Sequence, residues 1–127
     1  MVGELNILAA WVGILAGVLG GVAQGLMFHK EHWLGGYGSW RRRLMRLGHV
    51  SFFGIAFLNL AFAWTVRQSG WRPPSEAPGV ALAAAELLMP LVCYLAAWRQ
   101  PMRRLFFAPV ACVLFAVVAL VLGRVIP

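Results

Sequence analysis

At 127 residues the chain has the length of one domain, yet 61% hydrophobic residues and a mean hydropathy of +0.78 exclude an ordinary soluble one. The charged residues, 12% of the total, lie almost wholly between four apolar stretches, which is how a polytopic membrane protein keeps ions out of hydrocarbon. A net charge of +7 would point to nucleic acid in a soluble chain; beside membrane spans, arginines set orientation and touch anionic headgroups, and no nucleic acid is expected.

The first predicted span covers residues 5–28, longer than the ~20 residues needed to cross a bilayer core. Within it Gly13, Gly17, Gly21 and Gly25 recur at every fourth position, with Ala9 ahead of them and His29 at the end of the stripe. A strip without Cβ atoms admits a second helix or a flat ligand close to the backbone, so the four glycines read as a packing groove. Asn6 and Gln24 fall near the two ends of the span, where an amide is expected to reach water or a neighbouring helix at little cost. Glu4, with no Lys or Arg ahead of the apolar run, does not fit a cleavable signal peptide.

Residues 29–40 form a glycine-broken loop with Trp33, Tyr37 and Trp40, aromatics suited to the headgroup layer, and Ser39 is placed to cap the helix that follows. From Trp40 the pattern is helical through Arg41, Arg42, Arg43 and Arg46 and enters a second span at 47–66 without a proline. One long helix extended beyond the membrane is expected. Arg42, Arg46 and His49, four and then three apart, share one of its faces. Residues 67–79, with Gly70, Pro73, Pro74, Pro78 and Gly79, read as an exposed turn. The third span, 80–98, contains Pro90 and is expected to kink there. A short turn at 99–104 leads to the fourth span, 105–126, with Pro109 near its first turn. The fold class is therefore an all-α integral membrane protein of four antiparallel transmembrane helices in up-down order, one domain over 1–127.

Cations set the expected orientation. Lys30, Arg41, Arg42, Arg43, Arg46, Arg99, Arg103 and Arg104 fall on one side, against Arg67, Arg72 and Arg124 on the other. The first and third loops are thus expected in the cytoplasm of a bacterial inner-membrane protein, with both termini outside. Trp64 and Trp71 would mark the outer interface, and Trp33, Trp40 and Trp98 the inner one.

That topology gathers His29, His32 and His49 at the cytoplasmic side. Neutral imidazole ligates haem iron, zinc or copper, and His49 lies about one turn inside the second span, where an unpaired ring is costly. Arg42 and Arg46 could pair with haem propionates, and the glycine stripe ending at His29 could face a porphyrin, making haem b a candidate cofactor. His29 and His32 could instead chelate one ion with His49 as a third ligand, Glu31 being the only carboxylate nearby. The ordinary roles of such residues are headgroup contact, helix packing and orientation.

Glu86 is the only ionisable residue deep in an apolar stretch, so it reads as protonated or paired. Asn59 falls at a similar depth of the second span, and an interhelical Asn59–Glu86 hydrogen bond is expected. A proton relay, a quinone contact, a partner-binding site and a simple helix clamp all remain open for this pair. Cys93 and Cys112 also fall at similar depth and could touch, with packing the ordinary role. Phe52, Phe53, Phe57 and Phe62 ring the second span and are expected to face lipid or partners.

Serine-hydrolase, zinc-protease, phosphate-loop and dinucleotide motifs are missing, as is a pair of catalytic carboxylates. The leading expectation is a small non-catalytic accessory subunit of a larger membrane complex, respiratory or otherwise electron-transferring. Its partners would be lipids with anionic headgroups and other membrane subunits or further copies of the chain. The alternative is a b-type haem or metal-binding electron carrier using His49 with His29 or His32.

Overall fold

The computed structural model describes residues 3–70, 73 and 75–125, with Arg124 and Val125 by their backbone alone. Trp71, Arg72, Pro74 and Ile126, and the side chain of Arg124, lie outside the described residues, so the expectations resting on them go no further. Among the described residues there are four α-helices: α1 (Glu4–Met27), α2 (Trp40–Ser69), α3 (Ala77–Trp98) and α4 (Phe107–Val125). Short 3-10 stretches occupy Trp33–Gly35 and Gln100–Phe106. Each of the four is long and apolar enough to cross a membrane, which makes the chain a small all-α, multi-pass membrane protein.

The helix ends follow local chemistry. Ser39 caps α2, its hydroxyl accepting from the Arg42 amide at 3.2 Å and donating to the Leu34 carbonyl at 2.7 Å. Gly70 closes α2 in the left-handed conformation (φ 63°), which costs a glycine little. α3 begins three residues earlier than the turn read from Pro78 and Gly79 implied. Proline is tolerated in a first turn, where its missing N–H has no partner to lose, so Pro78 and Gly79 are helical and buried. α3 also stays helical through Pro90, which is fully buried.

α1 packs on α2 and α3, α2 packs on α3, and α4 packs on α3 with little contact to α1. Lipid solvates leucine as well as a protein interior does, so close packing and interhelical hydrogen bonds must hold these helices together. The contacting faces are accordingly small: Ala10, Ala56, Ala63, Ala85, Ala96 and Ala116 are all essentially inaccessible. Larger groups fill the gaps, with Ile55, Phe62 and Leu82 forming a cluster against Cys112 and Val113 of α4. At the arginine-rich end Leu44, Ala96 and Ala97 pack with Trp40, Met102 and Phe106. Trp40 fixes α2 to α3 there by donating from Nε1 to the Ala96 carbonyl at 3.2 Å. At the other end the side chains of Arg67 and Glu4 join the end of α2 to the start of α1.

Two of the expectations about the spans need correction, and a third is narrowed. Phe62 does not face lipid: it is 3% exposed, because the small face of α3 leaves room for one ring. Of the other phenylalanines, Phe52 and Phe53 are half-buried against Gly17 and Phe57 is exposed. Of the two settings expected for Asn6 and Gln24, water or a neighbouring helix, the second holds: both are buried on the α1 face turned toward α2 and α3, and Asn6 bonds to both helices. The glycine stripe is not uniform. Its members face different groups, and a Cβ at Gly25 would meet nothing within 4 Å.

Candidate functional site

The interior of the α1–α2–α3 junction holds a chain of directed hydrogen bonds. Asn6 of α1 donates from Nδ2 to the Gly79 carbonyl at 2.9 Å and to Asn59 Oδ1 at 2.7 Å. Asn59 of α2 in turn donates from its own Nδ2 to the Leu82 carbonyl at 3.2 Å and to Glu86 Oε2 at 3.3 Å. The Ile55 carbonyl, one turn back on α2, shares that amide at 3.1 Å. Three helices are thus tied through two amides and one carboxyl, all 1% exposed or less. The chain ends at Glu86, whose second oxygen, Oε1, is buried without a hydrogen-bond partner.

Glycines make this geometry possible. A Cβ on Gly13 would lie 1.9 Å from Glu86 Oε1, so the carboxyl occupies the place where a side chain would stand. A Cβ on Gly79 would come within 2.9 Å of Asn6 Oδ1. Pro90 adds to the polarity of the spot, because it has no N–H to bond the main-chain carbonyl four residues back, that of Glu86.

A second group of polar side chains lies nearer the arginine-rich end. His49 rests against Gly21, where a Cβ would lie 2.7 Å from its Cε1, and meets Phe53 edge-on at 5.4 Å. Tyr94 lies over Gly48 and beside Gly20 and Gln24. His49 Nδ1 and Gln24 Oε1 are buried without partners.

Arg42 and Arg46 serve the loop. Arg42 is 4% exposed and donates through Nη1 to the Glu31 carbonyl at 3.4 Å and through Nη2 to the Phe28 carbonyl at 3.3 Å. Its guanidinium lies 5.1 to 5.6 Å from the ring centres of Phe28, Trp33 and Tyr37. A cation at the carbonyl end of α1 is favoured by the helix dipole as well. Arg46 lies 4.1 Å from the Tyr37 ring centre and donates to the Tyr37 carbonyl at 3.3 Å. In the same loop Leu34, whose carbonyl accepts from the Ser39 hydroxyl, lies in the left-handed region (φ 55°), a conformation costly for any residue with a Cβ.

The three histidines are not brought together as one ligand set. His29 and His32 are exposed in the loop beyond α1, and His49 faces Gly21, six residues and so roughly 9 Å before the end of that helix at Met27. Among the described residues no three His, Cys, Asp or Glu side chains converge to hold a metal ion. Cys93 packs against Gly48 and Cys112 joins the α4 cluster, both as free thiols.

The buried Asn6, expected from its position to reach water or a neighbouring helix, reaches the helices and completes the hydrogen-bond chain, a role its position near the end of the span did not reveal. A polar residue in register with the glycine face, seven before Gly13, was the available signal. Compared with protein-family models, with curated proteins and with solved structures, the chain matches none.

Proposed function

We propose that the chain is a small, non-catalytic subunit of a larger membrane assembly. The observation that carries this reading is a pair of helical glycines the chain's own packing does not use. Gly25 of α1 and Gly54 of α2 are exposed, and a Cβ at either would meet nothing within 4 Å. Glycine costs a helix up to about 1 kcal/mol relative to alanine, a cost offset where a neighbouring helix comes close. The interior Asn6, Asn59 and Glu86 meanwhile join helices, which suits a packing role. The reading includes an orientation, supported by eight cations against three: the arginine-rich end in the cytoplasm of a bacterial inner membrane, both termini outside.

Extraction of the native protein in mild detergent tests the proposal. The expected particle is larger than the 13.9 kDa chain and contains other membrane subunits or further copies, and G25L and G54L release them. A lone monomer would end the reading. A second reading, a b-type haem or metal-binding electron carrier, has support at His49 alone, whose Nδ1 is buried and unpartnered, while His29 and His32 lie apart from it in the loop. An absorption spectrum without a Soret band, together with no stoichiometric metal, would end that one.

A further inference from the structure

Between α1 and α3 lies a cleft of about 350 Å³, walled by Leu5, Leu8 and Val12 from one helix and by Val80, Ala84 and Leu87 from the other. Its size lies within the usual range for small-molecule pockets. Glu86 is the one ionisable residue in the wall, and it is completely enclosed. Its Oε2 accepts from Asn59, and its Oε1 rests against the Gly13 backbone with no partner.

Among the described residues no cation pairs with Glu86, and an ionised carboxylate without one is too costly inside a bilayer, so the carboxyl there is neutral. Asn59 donates to Oε2, which makes Oε2 the carbonyl oxygen and leaves the proton on Oε1. The result is a hydrogen-bond donor without an acceptor, enclosed behind the wall of an apolar cleft that faces lipid and met from it when the carboxyl turns from Gly13 toward the cleft. A donor left unmade in such a place is expensive, and an acceptor arriving from the membrane would relieve the cost.

We infer that the α1–α3 cleft binds a lipophilic molecule bearing a carbonyl group. The apolar body lies between Leu8, Val12 and Leu87, and the carbonyl oxygen accepts the Oε1 proton of Glu86. A membrane quinone and an acyl ester of a lipid share this chemistry. Gly13 is part of the same site: any side chain at that position would displace the carboxyl from the cleft wall.

The test uses the purified full chain in detergent micelles and equilibrium binding of three probes of similar apolar bulk. These are a benzoquinone with a decyl tail, a fatty-acid methyl ester, and decylbenzene, which has no carbonyl. The carbonyl probes are expected to bind saturably, the tighter of the two identifying the source, and decylbenzene not to compete. A84F, which fills the cleft from an exposed position, and E86L, which removes the donor, each weaken binding about tenfold or more, while E86Q, which keeps an N–H donor, retains it. Equal competition by decylbenzene, no saturable binding of either carbonyl probe, or unchanged affinity in A84F or in folded E86L would overturn the inference. If E86L does not fold, the A84F and decylbenzene measurements decide.

Discussion

Replacing Gly13 by alanine adds one methyl group at the most crowded point of the helix junction. That carbon would stand 1.9 Å from Oε1, 2.4 Å from Cδ and 2.9 Å from Cγ of Glu86. A carboxyl is the end of a flexible side chain and could in principle swing away. Here it is completely enclosed, and leaving its place means giving up the bond from Asn59. Overpacking of a filled interior costs about 1 to 3 kcal/mol, and the lost hydrogen bond about 1 kcal/mol more. Against that stands a helix-propensity gain of up to about 1 kcal/mol for alanine over glycine. The net expectation for G13A is a destabilisation of about 1 to 3 kcal/mol. Thermal unfolding in detergent, read by a thiol-reactive dye reaching the fully buried Cys93 in a C112S background, measures it. G25A is the matched control, with nothing within 4 Å of the added carbon, and is expected to unfold at or above the wild-type temperature. In an E86A background the penalty of G13A should disappear, the non-additivity that direct contact requires. The reasoning is refuted if G13A unfolds with the wild type, if G25A is equally damaging, or if the G13A penalty persists without Glu86.

N59L removes the central amide of the hydrogen-bond chain and leaves both Asn6 and Glu86 short of partners, so it is expected to cost about 2 to 3 kcal/mol in the same dye assay; a loss below that of N6L would count against the connectivity. R42K keeps the charge but not the planar fork that reaches two carbonyls, so tryptic cleavage after the exposed Lys30 should accelerate in R42K and not in R43K. G48A places a carbon 2.7 Å from the Tyr94 ring and 3.1 Å from Cys93 Cβ, and should speed labelling of Cys93 at temperatures where G54A, an open position, does not. For orientation, single cysteines replacing the exposed Tyr37 and Ser75 in a background lacking Cys93 and Cys112 should be labelled from the cytoplasm and from outside respectively; the reverse pattern would overturn the charge argument.

What could be read from the residues was whatever depends on one segment at a time. Four apolar stretches, the cap at Ser39 and the continuation of α2 from its arginines all follow from hydropathy and local geometry, and the helices occur there, with α2 running on to Ser69 where a turn from 67 was expected. Pro78 misled the turn assignment because proline breaks a helix in its interior yet is accepted in its first turn. Arg42 could be placed on a helix face but its target could not, since the carbonyls it reaches belong to Phe28 and Glu31, fourteen and eleven residues earlier.

The sequence by itself determined that this chain crosses a membrane and that its few interior polar groups must find partners, because hydrocarbon offers neither water nor counter-ions. Only the tertiary structure decided which partners. Asn6 could meet water at an end of α1 or join a network between helices, and the four regularly spaced glycines could have formed one groove. The rotation of α1 against α2 and α3 instead seats Glu86 on Gly13, Phe53 on Gly17 and His49 on Gly21 and leaves Gly25 open. Helical periodicity fixes which residues share a face, whereas the neighbour each one meets depends on interhelical rotation and depth, set by the packing of all three helices at once.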